Sequence, residues 1–350
     1  MCSETLSKRV YWVDVAKLLA VVAVIMDHTY GILYSNERVA YASYYSVSLF
    51  ILMMGVTSYW SYSKNDKGVS EKVKKKCWEI IAPYLVATFI YSVFADKYFD
   101  FAIYVKRVIC FNANGPFYYV LLYLQLLLIV PIIFYFLKNT GNKKYSIGIE
   151  ILGLVIVLVI AWLTTNYTNI LSVTGGGGKL FGGTYLCLLY IGMMFGKYCD
   201  RISLQKVSVI VLFAVSLIVT MLWWNFISVD KLRIDVRVPF GAGFNPPSIS
   251  LGIYAILVAC TIYLFEKLLI NSDKLLMLFA KISILGKHTL YVFLYHRLFL
   301  DYIFPQIPMI TAIENIWFKR IIYFVGMVGG SMIIEFILER VRKLARNAYA

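Results

Sequence analysis

The chain has 350 residues, of which 61% are hydrophobic and 15% charged, with a mean hydropathy of +0.74. A water-soluble domain of this length would be nearer half apolar and a quarter charged, so that class is excluded. The net charge of +15 would suit a nucleic-acid partner. The basic residues instead gather in alternate connections between apolar stretches, as membrane orientation signals do, and nucleic acid is set aside.

By length and flanking charge the chain reads as about ten transmembrane helices, an all-α integral membrane protein in one unit over 1–350. The stretches run roughly 10–30, 43–63, 79–95, 116–137, 146–164, 184–199, 207–228, 248–268, 285–304 and 319–338. The first lacks a small-residue cleavage site and keeps polar groups, so it reads as a span rather than a signal peptide. Lys8 and Arg9 precede it, and Lys64, Lys67, Lys72, Lys74, Lys75 and Lys76 fall between the second and third stretches. Lys138, Lys143 and Lys144 follow the fourth, Lys197, Arg201 and Lys206 the sixth, and Lys267, Lys274 and Lys281 the eighth. Arg340, Arg342, Lys343 and Arg346 form the tail. The remaining connections carry fewer bases, offset by Asp96, Asp100, Asp230 and Asp235. Both termini are therefore expected in the cytoplasm, with the lipid bilayer as surroundings.

Two connections on the other side are long, Thr165–Gly183 and Val229–Pro247, and Gly, Pro and Asn mark them as irregular. The glycine run is not a phosphate loop: Val173 stands where the first glycine is required and Leu180 where Ser or Thr must bind magnesium. The segment Asp273–Ile284 reads as an amphipathic helix along the inner surface. Six cysteines, Cys2, Cys77, Cys110, Cys187, Cys199 and Cys260, have no pair spacing and read as apolar packers, so neither a disulfide nor a metal site is expected.

The first stretch carries the chemistry. Ionisable groups at membrane depth are costly and mark function or specific pairing, and here Asp14, Lys17, Asp27 and His28 occur together. Lys17 and His28 are three helical turns apart on one face, roughly 16 Å along the axis. Asp14 shares that face and is placed to pair with Lys17. Histidine is the side chain best suited to removing a hydroxyl proton near neutral pH, which acyl transfer requires. The other histidines, His288 and His296, lie at the start and near the middle of the ninth stretch. The run Lys72–Lys76 suits attraction of an anionic ligand such as a phosphorylated cofactor, although a plain orientation signal explains it too. No role is assigned to Glu79, Glu266, Asp301 or Glu335, which sit near helix ends.

Arg9 with Asp14-Val-Ala-Lys17 and His28 resembles the opening signature of acyltransferase family 3. Further segments agree in order: Lys74–Lys76 followed by Ile80-Ile81-Ala82-Pro83-Tyr84, then Gly115-Pro116-Phe117-Tyr118-Tyr119 with Leu124-Gln125. Tyr190–Gly196 and Gly286–His296 follow. The closest flavour is the sugar O-acetylase branch, similar to fucose 4-O-acetylases. The resemblance implies a bacterial inner-membrane enzyme that takes an acyl group, usually acetyl from cytoplasmic acetyl-CoA, and delivers it to a hydroxyl of an envelope glycan or glycan precursor. It implies a catalytic set of His28, Asp14 and Lys17 and a CoA-binding run Lys74, Lys75 and Lys76. Tyr118, Tyr119 and His296 would face the acceptor. One departure is plain: the family's arginine is Lys17 here, a point charge in place of a planar fork. An exporter of a polysaccharide or lipid-linked sugar and a non-catalytic membrane sensor are the alternatives. A homo-oligomer is left open.

Overall fold

The computed structural model describes residues 10–64, 68–96, 98–140, 145–166, 182–199, 205–228, 246–270 and 272–348. Cys2, Lys8, Arg9, Lys67, Lys143, Lys144, Arg201 and most of the two long loops, with Asp230 and Asp235, lie outside the described residues. The described chain is helical throughout, with one isolated bridge between Tyr30 and Tyr34 and no named strand. In order, the elements are α1 Trp12–His28, α2 Glu37–Tyr41, α3 Ser46–Lys64, α4 Val69–Asp96, α5 Phe101–Cys110 and α6 Tyr118–Thr140. They continue with α7 Ser146–Asn166, α8 Tyr185–Tyr198, α9 Lys206–Ile227, α10 Ile249–Leu269 and α11 Asp273–Leu285. After α12 Thr289–Leu298 come a π-helical turn Phe299–Ile303 and a 3-10 turn Phe304–Gln306. A short α13 Pro308–Thr311 and a long α14 Ile316–Ala348 close the described chain.

An all-helical architecture suits a bilayer, since every backbone N–H and C=O in hydrocarbon needs a partner and a helix supplies it within its own segment. Seven described helices are long and apolar enough to cross a membrane, or eight if the bent pair α11 and α12, 52° apart, forms one span. The expected count of about ten also included α1 and α8. These have 17 and 14 residues, the first at the short limit of a full crossing and the second below it. Both are buried inside the bundle, so their length is not set by lipid contact. The outer helices are the reverse case: only 11% of the apolar window of α9 is buried, and 22% of that of α14.

The tightest seam joins α3 to α8. A Cβ on Gly192 would lie 2.2 Å from the Leu52 carbonyl oxygen, one on Gly196 2.9 Å from that of Val56, and one on Gly55 2.5 Å from that of Leu189. Gly192-Met-Met-Phe-Gly196 is thus a small-xxx-small contact that lets two backbones touch, the usual glue where solvent offers no hydrophobic drive. It supplies the physical reason for the Tyr190–Gly196 motif.

Two expected boundaries move. The run Lys72–Lys76 is not a loop: α4 begins at Val69, just after Gly68 turns the chain at φ +81°. Lysine is a good helix former, and it extends the apolar helix outward. Lys197 is not in a connection either. It sits inside α8 with a side chain 2% exposed, paired with the fully buried Glu150 of α7. Glu150 also accepts from Thr140 Oγ1 at 2.7 Å and from Tyr198 OH at 2.8 Å, and Lys197 Nζ donates to the Leu137 carbonyl at 2.6 Å. Every strong donor and acceptor of the pair is used, which is the condition for burying such charges.

Candidate active site

The site is built between α1 and α12. Glu266 of α10 fixes the start of α1, accepting from the Tyr11 backbone N–H at 2.7 Å. Glu266 is itself buried, so it serves as a remote N-cap. Trp12 then locks into a cage of Trp60, Phe195 and Tyr263, all edge-on within 6.3 Å. One more contact sets the register. At Gly286, between α11 and α12, an added Cβ would lie 2.0 Å from the Asp14 carbonyl oxygen. The two backbones touch there, and α12 leaves that point alongside α1 in the same direction.

Near this crossing lies a cavity of about 390 Å³. Asp14, Lys17 and Lys287 give it polar walls, and Phe50, Tyr119, Tyr123, Leu290 and Phe293 give it apolar ones. Lys17 and Asp14 pair at 3.6 Å, as their spacing predicts, with side chains 29% and 20% exposed. Lys76 of α4 lies near enough for the charge of Lys17 to reach it. Within the basic run, Lys74 and Lys75 are exposed. Lys72 and Lys76 instead lean over the Tyr62 ring at 5.6 and 5.9 Å. The face of α4 nearest the cavity therefore presents Lys76 of the three expected lysines. Lys287 is not among the residues expected from sequence, though it stands one residue before His288 within Gly286–His296.

Further along, Thr289, Phe293 and His296 follow one another on the face of α12 turned to α1. Phe293 packs on Tyr119 with ring centroids 4.9 Å apart, and its ring lies 6.3 Å from that of His296. Beyond this aromatic partition His28 Nδ1 meets His296 Nε2 at 2.6 Å, the rings within 11° of parallel. His296 is fully buried, and its Nδ1 lies 3.0 Å from the Val292 carbonyl and 2.9 Å from that of Phe293.

Those two carbonyls only accept, so Nδ1 of His296 carries a proton. In the neutral pair its Nε2 is then the acceptor, and His28 Nδ1 must donate to it. The lone pair of His28 is left on Nε2. That nitrogen faces Asp27, whose Oδ2 is 3.9 Å away, and the side chains of His28 and Asp27 are 21% and 42% exposed. A histidine oriented through one nitrogen and bare at the other is the arrangement of a general base.

The surroundings of that open end are polar. Arg297 is clamped to Asp301 by contacts of 2.8 and 3.1 Å, the latter residue on the π-helical turn. Its charge is felt by both Asp27 and His28. Tyr34 donates to the Met26 carbonyl at 2.6 Å. Burial, reinforced by the charge of Asp27, pushes its pKa up to about 12, so it remains a donor.

The expected site residues fall into two groups. Asp14, Lys17 and Tyr119 line the cavity, with Lys76 outside its walls but within reach of the charge of Lys17, while His28 and His296 meet at the far end of α1, with Tyr118 near Tyr185 and within reach of Asp27's charge. Tyr119 thus lies on the cavity side of the partition, apart from the histidines. His288 is elsewhere, paired with Glu335 of α14 at 2.8 Å. Among the described residues no group of His, Cys, Asp and Glu could hold a metal ion.

Comparison with curated proteins and with solved structures returns no match. A family model of the acyltransferase domain matches residues 10–340. That span takes in both histidines and the cavity, and the chain belongs to acyltransferase family 3, as a multi-pass membrane acyltransferase.

Proposed function

We propose that this protein moves an acyl group, acetyl in our reading, from cytoplasmic acyl-CoA to a hydroxyl of a cell-envelope glycan, in the bacterial inner membrane with both termini inside. The observation that carries the reading is the His28–His296 pair, which leaves a bare Nε2 at one end of a helix whose other end lines a basic cavity. The cavity is of ligand-binding size and suits the thin pantetheine arm of the donor, with the bulky nucleotide outside. Lys17, Lys76 and Lys287 are the cations in place for its phosphates. Lys74 and Lys75 point to solvent and add only long-range attraction.

The step balances simply. The acceptor oxygen bonds to the thioester carbonyl carbon and its proton passes to His28 Nε2. The C–S bond breaks, and the leaving thiolate takes a proton back from the imidazolium. His296 holds the His28 ring in the tautomer that can begin this cycle. His28 and His296 do not line the cavity, so the arm must reach past the apolar rings of Tyr119 and Phe293 for its thioester to meet the acceptor oxygen at His28, and those rings limit water along the way. The fucose 4-O-acetylase resemblance supports acetyl as the group and a sugar as the acceptor.

The test is transfer of acetyl label from acetyl-CoA to envelope glycan in membranes carrying wild-type protein, His28→Ala or His296→Ala. Label should reach glycan with wild type and fail to do so with His28→Ala. Equal transfer by wild type and His28→Ala would remove the histidine from the reaction. No transfer by inserted wild-type protein would reject the donor.

A further inference from the structure

The carboxylate of Asp27 sits on the wrong side of His28 to orient it. An orienting acid binds the nitrogen opposite the one that takes the proton, and here that position belongs to His296. Asp27 Oδ2 instead lies 3.9 Å from the bare Nε2, too far for a hydrogen bond. No hydrogen bond among the described residues is made to this carboxylate, and its side chain is 42% exposed. A base lone pair and a free carboxylate oxygen thus face one space.

We infer that Asp27 selects acceptors bearing a second hydroxyl next to the one that is acylated. Resting on the acyl-transfer reading above, this names the substrate class as a vicinal diol. Two adjacent ring hydroxyls hold their oxygens about one hydrogen-bond length apart. One can then donate to His28 Nε2 while its neighbour donates to Asp27 Oδ2, since two acceptors 3.9 Å apart are spanned by such a pair without distortion. A mono-hydroxyl acceptor would leave the carboxylate without its partner. A hydrogen bond to a charged group in a partly open site discriminates by roughly ten- to a hundredfold.

The test uses full-length protein in membranes, acetyl-labelled acetyl-CoA and two added acceptors that differ by one hydroxyl, cis-cyclohexane-1,2-diol and cyclohexanol. With wild type the diol should divert label from glycan at a concentration at least about tenfold lower than cyclohexanol. Asp27→Ala should bring the two alcohols together, and Asp27→Asn, which keeps one acceptor oxygen, should fall between them. A role in stabilising charged His28 would instead slow transfer to both alcohols alike and keep their ratio. Equal response of wild type to the two alcohols overturns the inference, as does an unchanged ratio in Asp27→Ala. Absence of any transfer to glycan by wild type would instead mark failure of the acyl-transfer reading itself.

Discussion

His28 and His296 share a 2.6 Å contact across 268 residues of chain, and the direction of the proton in that contact sets which nitrogen is free to act. His28→Ala should lower transfer by about 10²- to 10⁴-fold, the usual worth of a general base. His296→Ala should cost less, because the base remains but its tautomer is no longer held. His296→Gln should recover part of that loss by offering an amide oxygen to His28 Nδ1. Initial rates with labelled acetyl-CoA check the ranking; His296→Ala with wild-type rate would make the second histidine a packing residue.

Lys197 and Glu150 should behave as one unit. Removing one partner leaves the other charge buried and unpaired, so Lys197→Met should destabilise the fold by about 3–5 kcal/mol. The double variant Lys197→Met with Glu150→Leu should regain much of it, since no charge then remains inside. Thermal unfolding in detergent measures both. Additive losses in the double variant would show that the two residues act separately.

The seven or eight long apolar helices were readable from apolar length alone, because lipid imposes the same rule on every span. The errors come from places where that rule is silent. Lys72–Lys76 look like a loop to hydropathy, yet helix continues through charge. Lys197 looks like a loop cation, yet its partner Glu150 lies 47 residues earlier and no local pattern joins them. The site was half legible. Asp14, Lys17 and His28 stand out because they are polar within one apolar helix. The partnership of His28 with His296, the free side of Asp27 and the cavity role of Lys287 all depend on how α12 lies against α1. The close approach of Gly286 sets that relation, and sequence spacing does not encode it.

Gly286→Ala should act on the donor site. Its Cβ would meet the carbonyl oxygen, carbon and Cα of Asp14 at 2.0, 2.6 and 3.0 Å. These are backbone atoms, so no rotamer change relieves the clash and α12 must move off α1. The cavity wall then shifts with it. The KM for acetyl-CoA should rise several-fold with the protein still inserted. An unchanged KM would mean that the cavity beside Asp14 does not bind the donor.

The lysines provide the sharpest separation between a donor site and a mere orientation signal. Lys287→Ala and Lys76→Ala each remove a cation beside the cavity and should raise the KM for acetyl-CoA, more so at low salt, where partly exposed charges are least screened. Lys74→Ala and Lys75→Ala, on the exposed side of α4, should change it by less than about twofold, in line with the small effect of solvent-facing charges. Lys17→Arg should retain transfer, since the longer cation keeps its charge beside Asp14, whereas Lys17→Met should lose it. The same acetyl-CoA titration reads all six variants. If Lys74 and Lys75 matter as much as Lys76 and Lys287, the basic face acts only through its overall field. If Lys17→Met works as well as wild type, the cation on α1 has no part in holding the donor.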